Sequence, residues 1–317
     1  MATYVERDGD WVLRPPGRLD NATMHAFALR AGAAELNALC QRFITQPSGG
    51  AVTATPLFAG FPFVLLTCAD IPRGYSRDAD DAGHGWMPES DVGIFVPVTL
   101  TWGNGQQRVA NLLPYLYVDN FAAVLIGREL FGFPKVLADI AFGAAPWRCT
   151  VTAPVSVTNN PAQPATAAPI ITVAKLSPLP GVPIPGKLDD AITAIVLALR
   201  AALGMPPAAP APFATIPMVF LKQFRDAVQR TTACHQSVVL AEAGIDAFYG
   251  GELWPSVLAP PPLPSLHPFS ITIPPYHSVS IVERLGLGAG PTVYPVLSVR
   301  VTIDFALPFG ATLWTAP

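Results

Sequence analysis

In the run Gly127-Arg128-Glu129-Leu130-Phe131-Gly132-Phe133-Pro134-Lys135, one lysine follows a Gly-x-Pro break and sits among the apolar residues Phe133, Pro134, Val136 and Leu137. A lysine kept out of water loses its charge more readily than a solvated one and can attack a carbonyl to form an imine, so Lys135 is a candidate amine nucleophile. Of the 19 lysines and arginines, only Lys135, Lys175, Lys187 and Lys222 are lysines. Lysine is therefore not the default solubilising cation of this chain, and one in an apolar setting stands out. Imine chemistry also needs a group that moves protons and a seat for the substrate carboxylate.

The elements that would position Lys135 are punctuated by glycine and proline. Asn120 reads as the N-cap of a helix over 121–131 that ends at Gly132, with Pro134 preventing its continuation. Lys135 then falls in an extended segment just past a helix end. Residues 21–44 read as another helix, capped by Asn21 or Thr23, with Phe27, Leu36 and Leu39 on its apolar face. From Val52 to Val118 the pattern turns to short β-rich runs. A helix at 188–204 has Asp189 and Asp190 in its first turn and Arg200 in its last. Segments 216–224, 237–242, 269–274 and 293–306 read as strands. The proline-rich stretches Pro206 to Pro212 and Pro260 to Pro268 read as stiff connectors.

The ordered run from Tyr117-Val118-Asp119-Asn120 through Gly127-Arg128-Glu129-Leu130 to Pro134-Lys135 resembles the signature segment of the acetoacetate decarboxylase superfamily. Weaker similarity extends to Glu89-Ser90-Asp91-Val92-Gly93 upstream and to Pro217–Lys222 and Ala241-Glu242-Ala243 downstream. The resemblance implies an α+β, β-rich fold, a cone or barrel of mostly antiparallel strands with flanking helices. It implies a Schiff base on Lys135 and an acidic partner, for which Asp91, nearest the family's acidic position, and Glu89 are the proton-transfer candidates, although both also fit a solvated loop. It implies no cofactor, because the imine itself is the electron sink. In the acetoacetate decarboxylases the position after the reactive lysine is usually a second lysine, and here it is Val136. Any lowering of the Lys135 pKa would then have to come from burial or from an arginine elsewhere in the fold. Arg18 is the N-terminal candidate for the substrate carboxylate. Tyr117 and Phe133 are candidate pocket residues, or plain core. Arg128 and Glu129 match the motif and read either as substrate contacts or as an ion pair orienting the helix end. The whole chain, 1–317, is expected to form one such domain, with an N-terminal extension and an insertion around 155–215.

An apolar fraction of 51% against 13% charged residues leads us to expect a homo-oligomer, in which partner subunits cover surface. The net charge of −3 offers no footprint for nucleic acid. Residues 1–8 lack an apolar signal core and 191–205 are interrupted by Arg200, so the expectation is a cytoplasmic protein with no membrane partner. Cys40, Cys68, Cys149 and Cys234 lack metal or disulfide spacing and read as free thiols. The five histidines are not clustered, and Gly286-Leu287-Gly288-Ala289-Gly290 is followed by Pro291 and reads as a loop and not as a nucleotide fingerprint. The chemistry that follows is decarboxylation of a β-keto acid through an imine on Lys135. A Schiff-base aldolase-dehydratase acting on pyruvate-like keto acids and aldehydes is the alternative, and a non-catalytic binding protein on the same fold is the third.

Overall fold

The structure, a computed structural model, describes residues 4–5, 11–156, 160–178, 180–206, 215–256 and 266–317. Its elements run in the order β1 (Gly17–Arg30), α1 (Ala33–Cys40), β2 (Val52–Pro56), β3 (Phe63–Ser76), β4 (Met87–Trp102), β5 (Gln106–Val118), α2 (Phe121–Ile126), β6 (Lys135–Leu137), β7 (Asp139–Ala144) and β8 (Trp147–Val155). They continue with β9 (Thr166–Lys175), β10 (Val182–Pro183), α3 (Leu188–Leu203), β11 (Thr215–Arg225), β12 (Ala233–Pro255), β13 (Phe269–Thr272), α4 (Ile281–Leu285), β14 (Thr292–Val293), β15 (Leu297–Leu307) and β16 (Ala311–Thr315).

Strands β4-β3-β1-β15-β12-β11-β5 lie side by side, and β5 pairs back onto β4, so seven strands close into a ring. All contacts in the ring are antiparallel except β5 with β11. Beyond that parallel contact β6 takes over the free edge of β5, with Leu116 opposite Lys135. A second antiparallel sheet, β14-β13-β9-β8-β7, packs against the ring. One apolar cluster joins the two, including Val96, Val98 and Leu100 of β4 with Val151, Ile171 and Phe269 of the second sheet. This is the expected β-rich barrel with flanking helices.

The expected helix over 21–44 is wrong in its first half. Residues 17–30 form β1, held between β3 and β15, and the helix begins only at Ala33, after Gly32 donates its N–H to Leu285 O at 2.9 Å. Phe27, Ala28 and Leu29 are all buried, because a central strand is covered on both faces. Such a strand shows an apolar run without alternation, which periodicity does not distinguish from a buried helix. Asn21 is not a cap but a bulge residue at φ 54°, in the left-handed region that asparagine tolerates, and its N–H donates to Asp304 Oδ1 at 2.7 Å. The 293–306 segment divides into β14 and β15, and α4 lies in a stretch that carried no helix expectation. The helix expected at 188–204 is α3, closed by Gly204 at φ 78°. The proline-rich stretches fall mostly outside the described residues. Among the described residues no helix is long and apolar enough to cross a membrane. The four cysteines are free, three of them buried and Cys234 exposed.

His25 is buried on β1, stacked on Trp147 at 4.0 Å, and its Nδ1 has no hydrogen-bond partner. Burial, with Arg300 and Lys175 nearby, lowers its pKa to about 3. A base with a depressed folded-state pKa contributes stability that is full above its unfolded value of about 6.5 and is lost as pH falls toward 3. The expected result is that between pH 7 and 4.5 the wild type loses about 2–3 kcal/mol more unfolding free energy than His25→Gln. Urea denaturation at the two pH values measures the difference, and equal losses would contradict it.

Candidate active site

The site is set by how β4, β5 and α2 are tied together. Glu89 and Asp91 are two residues apart on β4 and so project from the same face of the strand, toward Lys135. Between them, Ser90 donates its N–H to Asp119 Oδ1 at 2.7 Å, and the Asn120 side chain donates to Pro88 O at 2.8 Å. The same Asn120 accepts at Oδ1 from the N–H groups of Ala122 (2.9 Å) and Ala123 (3.3 Å), which caps α2 as its sequence requires. One residue therefore fixes both the strand carrying the carboxylates and the helix leading to the lysine.

The last turn of that helix, Gly127–Phe131, widens to π-helical spacing, with Gly132 N–H bonded to Gly127 O. Gly132 stops it at φ 78°, and its α-carbon leaves no room for a Cβ, which would fall 2.5 Å from Lys222 Cα. The chain then enters β6 at Lys135, whose carbonyl accepts from Arg128 Nη1 at 3.2 Å. Phe133 stacks between Phe131 (5.0 Å) and Phe220 (4.2 Å) and forms part of the lysine's apolar surroundings.

Lys135 is 7% exposed, and its Nζ donates to Glu89 Oε1 and lies 4.0 Å from Asp91 Oδ1. The sequence expectation that burial would discharge this lysine is not met. Burial does oppose the ammonium, but Asp91 and Glu89 outweigh it and hold the pKa above the ordinary lysine value. The pKa of Asp91 moves well upward, chiefly because burial disfavours its charge and secondly because Glu89 lies beside it. The arrangement is an ammonium in contact with one carboxyl group, with a second alongside. It can hand a proton from nitrogen to Glu89 and supply another from Asp91.

Gly127 shapes the lysine's path. A Cβ there would stand 2.8 Å from Lys135 Cδ and 3.1 Å from Cε, with Phe133 at 3.3 Å on the other side. Gly127→Ala is expected to displace the amine and slow imine formation by on the order of 10²-fold while the protein stays folded. Single-turnover trapping of a keto acid with borohydride, alongside thermal melts, measures both, and an unchanged trapping rate would contradict it.

The remaining candidates fall in different places. Arg18 borders the cavity at Lys135 but is occupied by three carboxylates, Asp20 (2.7 Å), Asp304 (2.7 Å) and Asp246. Arg14, on the same wall, is paired with Asp78, Asp80 and Asp81. Tyr117 is buried in the main core, on the face of β5 opposite Leu116, which does face the cavity. Arg128 and Glu129 do not pair with each other among the described contacts: Arg128 holds the Lys135 carbonyl, and Glu129 accepts from Tyr4 Oη at 2.7 Å. Neither borders a cavity that reaches the lysine. Leu19, Met87, Met218 and Leu307 do line those cavities and carry no signal in the sequence beyond being apolar.

Residues 64–166 match the family model described as acetoacetate decarboxylase. No curated protein sequence matches the chain. Among solved structures, the chain is similar to the acetoacetate decarboxylase of Legionella pneumophila, with 15% identity over 95% of this chain and 88% of that one and a TM-score of 0.58. It is also similar to the enduracididine biosynthesis enzyme MppR complexed with pyruvate, with 13% identity over 97% and 93% of the two chains and a TM-score of 0.54. An acetoacetate decarboxylase-like enzyme from Sphingomonas wittichii aligns at 12% identity over 96% and 94%, with a TM-score of 0.53. At these identities the likeness is one of fold.

Proposed function

We propose that the chain is a member of the acetoacetate decarboxylase superfamily and that it is a Schiff-base enzyme that decarboxylates a β-keto acid through an imine on Lys135. The observation that carries this reading is the buried Lys135 amine in contact with Glu89 and 4.0 Å from Asp91. As the amine attacks the keto carbon, Glu89 takes the nitrogen's proton. Loss of water from the carbinolamine gives a protonated imine. The bond between the α-carbon and the carboxylate then breaks, its electron pair enters the imine to form an enamine, and carbon dioxide departs. Asp91 protonates the enamine carbon, and water releases the ketone and the free lysine.

The charge distribution favours a β-keto over an α-keto acid. An α-keto acid would carry its carboxylate on the carbon bonded to nitrogen, against Glu89 and Asp91, while Arg14 and Arg18 are committed to aspartates. A β-keto acid sets the carboxylate one carbon further off, where weak solvation helps it leave. MppR is complexed with pyruvate in one structure and with the condensation product of pyruvate and imidazole 4-carboxaldehyde in another, so the aldol reading remains the second outcome of the test. That test is borohydride reduction in the presence of β-keto acids, or of pyruvate with an aldehyde, followed by peptide mapping. The expected adduct is on Lys135 with the mass of the decarboxylated ketone. A pyruvate-derived adduct alone would replace the first reading by the aldol one, and no adduct would overturn both.

A further inference from the structure

Lys135 stands between two cavities. The outer one, about 90 Å³, lies under the π-helical turn and the segment before β1, where Leu13, Met87, Ile126 and Leu130 form much of its wall. The inner one, about 100 Å³, lies within the ring of seven strands. Leu19, Glu89, Phe133, Lys135 and Leu307 border both, so the amine is reached from either side. Apart from Lys135 the polar residues lining the inner cavity are Thr67, Glu89 and Asp91, and the rest of its lining is apolar, with Met24, Ile216, Met218, Ile303 and Phe305 among the contributors.

A small barrel usually fills its interior with side chains. Here two inward positions, Ala69 of β3 and Ala243 of β12, are small, and both border the space left open. A carbonyl compound bonded to Lys135 has two substituents to place. Its carboxylate is excluded from the inner cavity, which offers two acidic residues and no cation other than the reacting amine. The other substituent must then go inward, where only apolar groups gain by burial. A water-sized group takes up roughly 30 Å³, so the inner space of about 100 Å³ seats on the order of three or four heavy atoms, with a little more where the lining gives.

We propose that the substrate is a medium-chain 3-oxo acid whose apolar arm, of about three to five carbons, occupies the barrel interior beyond Lys135. The assignment rests on the imine reading above. Acetoacetate, whose arm is one methyl, leaves most of that space unfilled and forgoes the burial. Ala69 and Ala243 are the positions that set the permitted length.

The test compares decarboxylation of 3-oxobutanoate, 3-oxohexanoate, 3-oxooctanoate and 3-oxodecanoate, each also trapped with borohydride. The expected result is a kcat/KM that rises about fourfold per methylene to the eight-carbon acid, on the order of 10²-fold in all. Ala69→Leu and, separately, Ala243→Val are expected to lower the ratio of eight-carbon to four-carbon activity tenfold or more, with melting curves checking that each folds. A ratio that is flat or falls with chain length, while 3-oxobutanoate is still fixed on Lys135, would overturn the substrate assignment and leave the imine reading standing. If none of the four acids is fixed on Lys135, the imine reading fails and the assignment falls with it.

Discussion

Lys135→Ala is expected to abolish borohydride-trapped adduct and to lower kcat/KM by on the order of 10⁴-fold or more. In the proposed mechanism the whole electron sink resides in the nitrogen, and among the described residues no other lysine stands at the site. Lys222 is turned toward Leu130 O, and neither Lys175 nor Lys187 borders a cavity that reaches the site. The substitution also leaves Glu89 and Asp91 without their cation, and breaking a buried pair costs about 3–5 kcal/mol. Lys135→Arg separates the two effects. It restores a positive charge opposite Glu89, but a guanidinium stays protonated and forms no imine under these conditions. Both variants should therefore be inactive, and the arginine variant should melt closer to the wild type. Turnover retained in either, measured by carbon dioxide release, would remove Lys135 from the mechanism.

What was legible in the sequence was local. Asn120, Gly132 and Pro134 each act on their own neighbours, so the start and end of the helix, and the extended segment holding Lys135, could be read from residue types alone. The period of two on β4 likewise puts Glu89 and Asp91 on one face. What could not be read depends on distant strands. The similarity favoured Asp91 as the acidic partner, yet Glu89 makes the contact and Asp91 stands at 4.0 Å, a difference set by the register of β4 against β3 and β5. Arg18 could be guessed as near the site, but two of the three carboxylates that occupy it, Asp246 and Asp304, lie more than two hundred residues away. Tyr117 failed as a cavity residue by a phase of one: Leu116, its neighbour, points inward. The misread of β1 has the same origin, since only its partners β3 and β15 reveal that both of its faces are covered.

The most consequential of these corrections is the charge on Lys135, because it assigns Glu89 a double role that a single variant can expose. The wild-type amine is held as an ammonium by Asp91 and Glu89 against the opposing effect of burial. An ammonium cannot attack, and in the proposed mechanism Glu89 accepts the proton as the carbinolamine forms. Glu89→Gln removes that acceptor, and imine formation is expected to slow by about 10²–10⁴-fold, the usual range for a general base. The same change removes one of the two charges that raise the lysine pKa and leaves the desolvation in place, so the pKa must fall. The pH at which imine formation reaches half its maximum is therefore expected to move downward in Glu89→Gln, even as the maximum itself drops. A residue that merely packed against the lysine would lower the rate without moving the profile toward acid. Stopped-flow trapping between pH 6 and 10 reads both quantities, and a profile that stays put or moves toward alkali would mean that Glu89 does not govern the charge on Lys135.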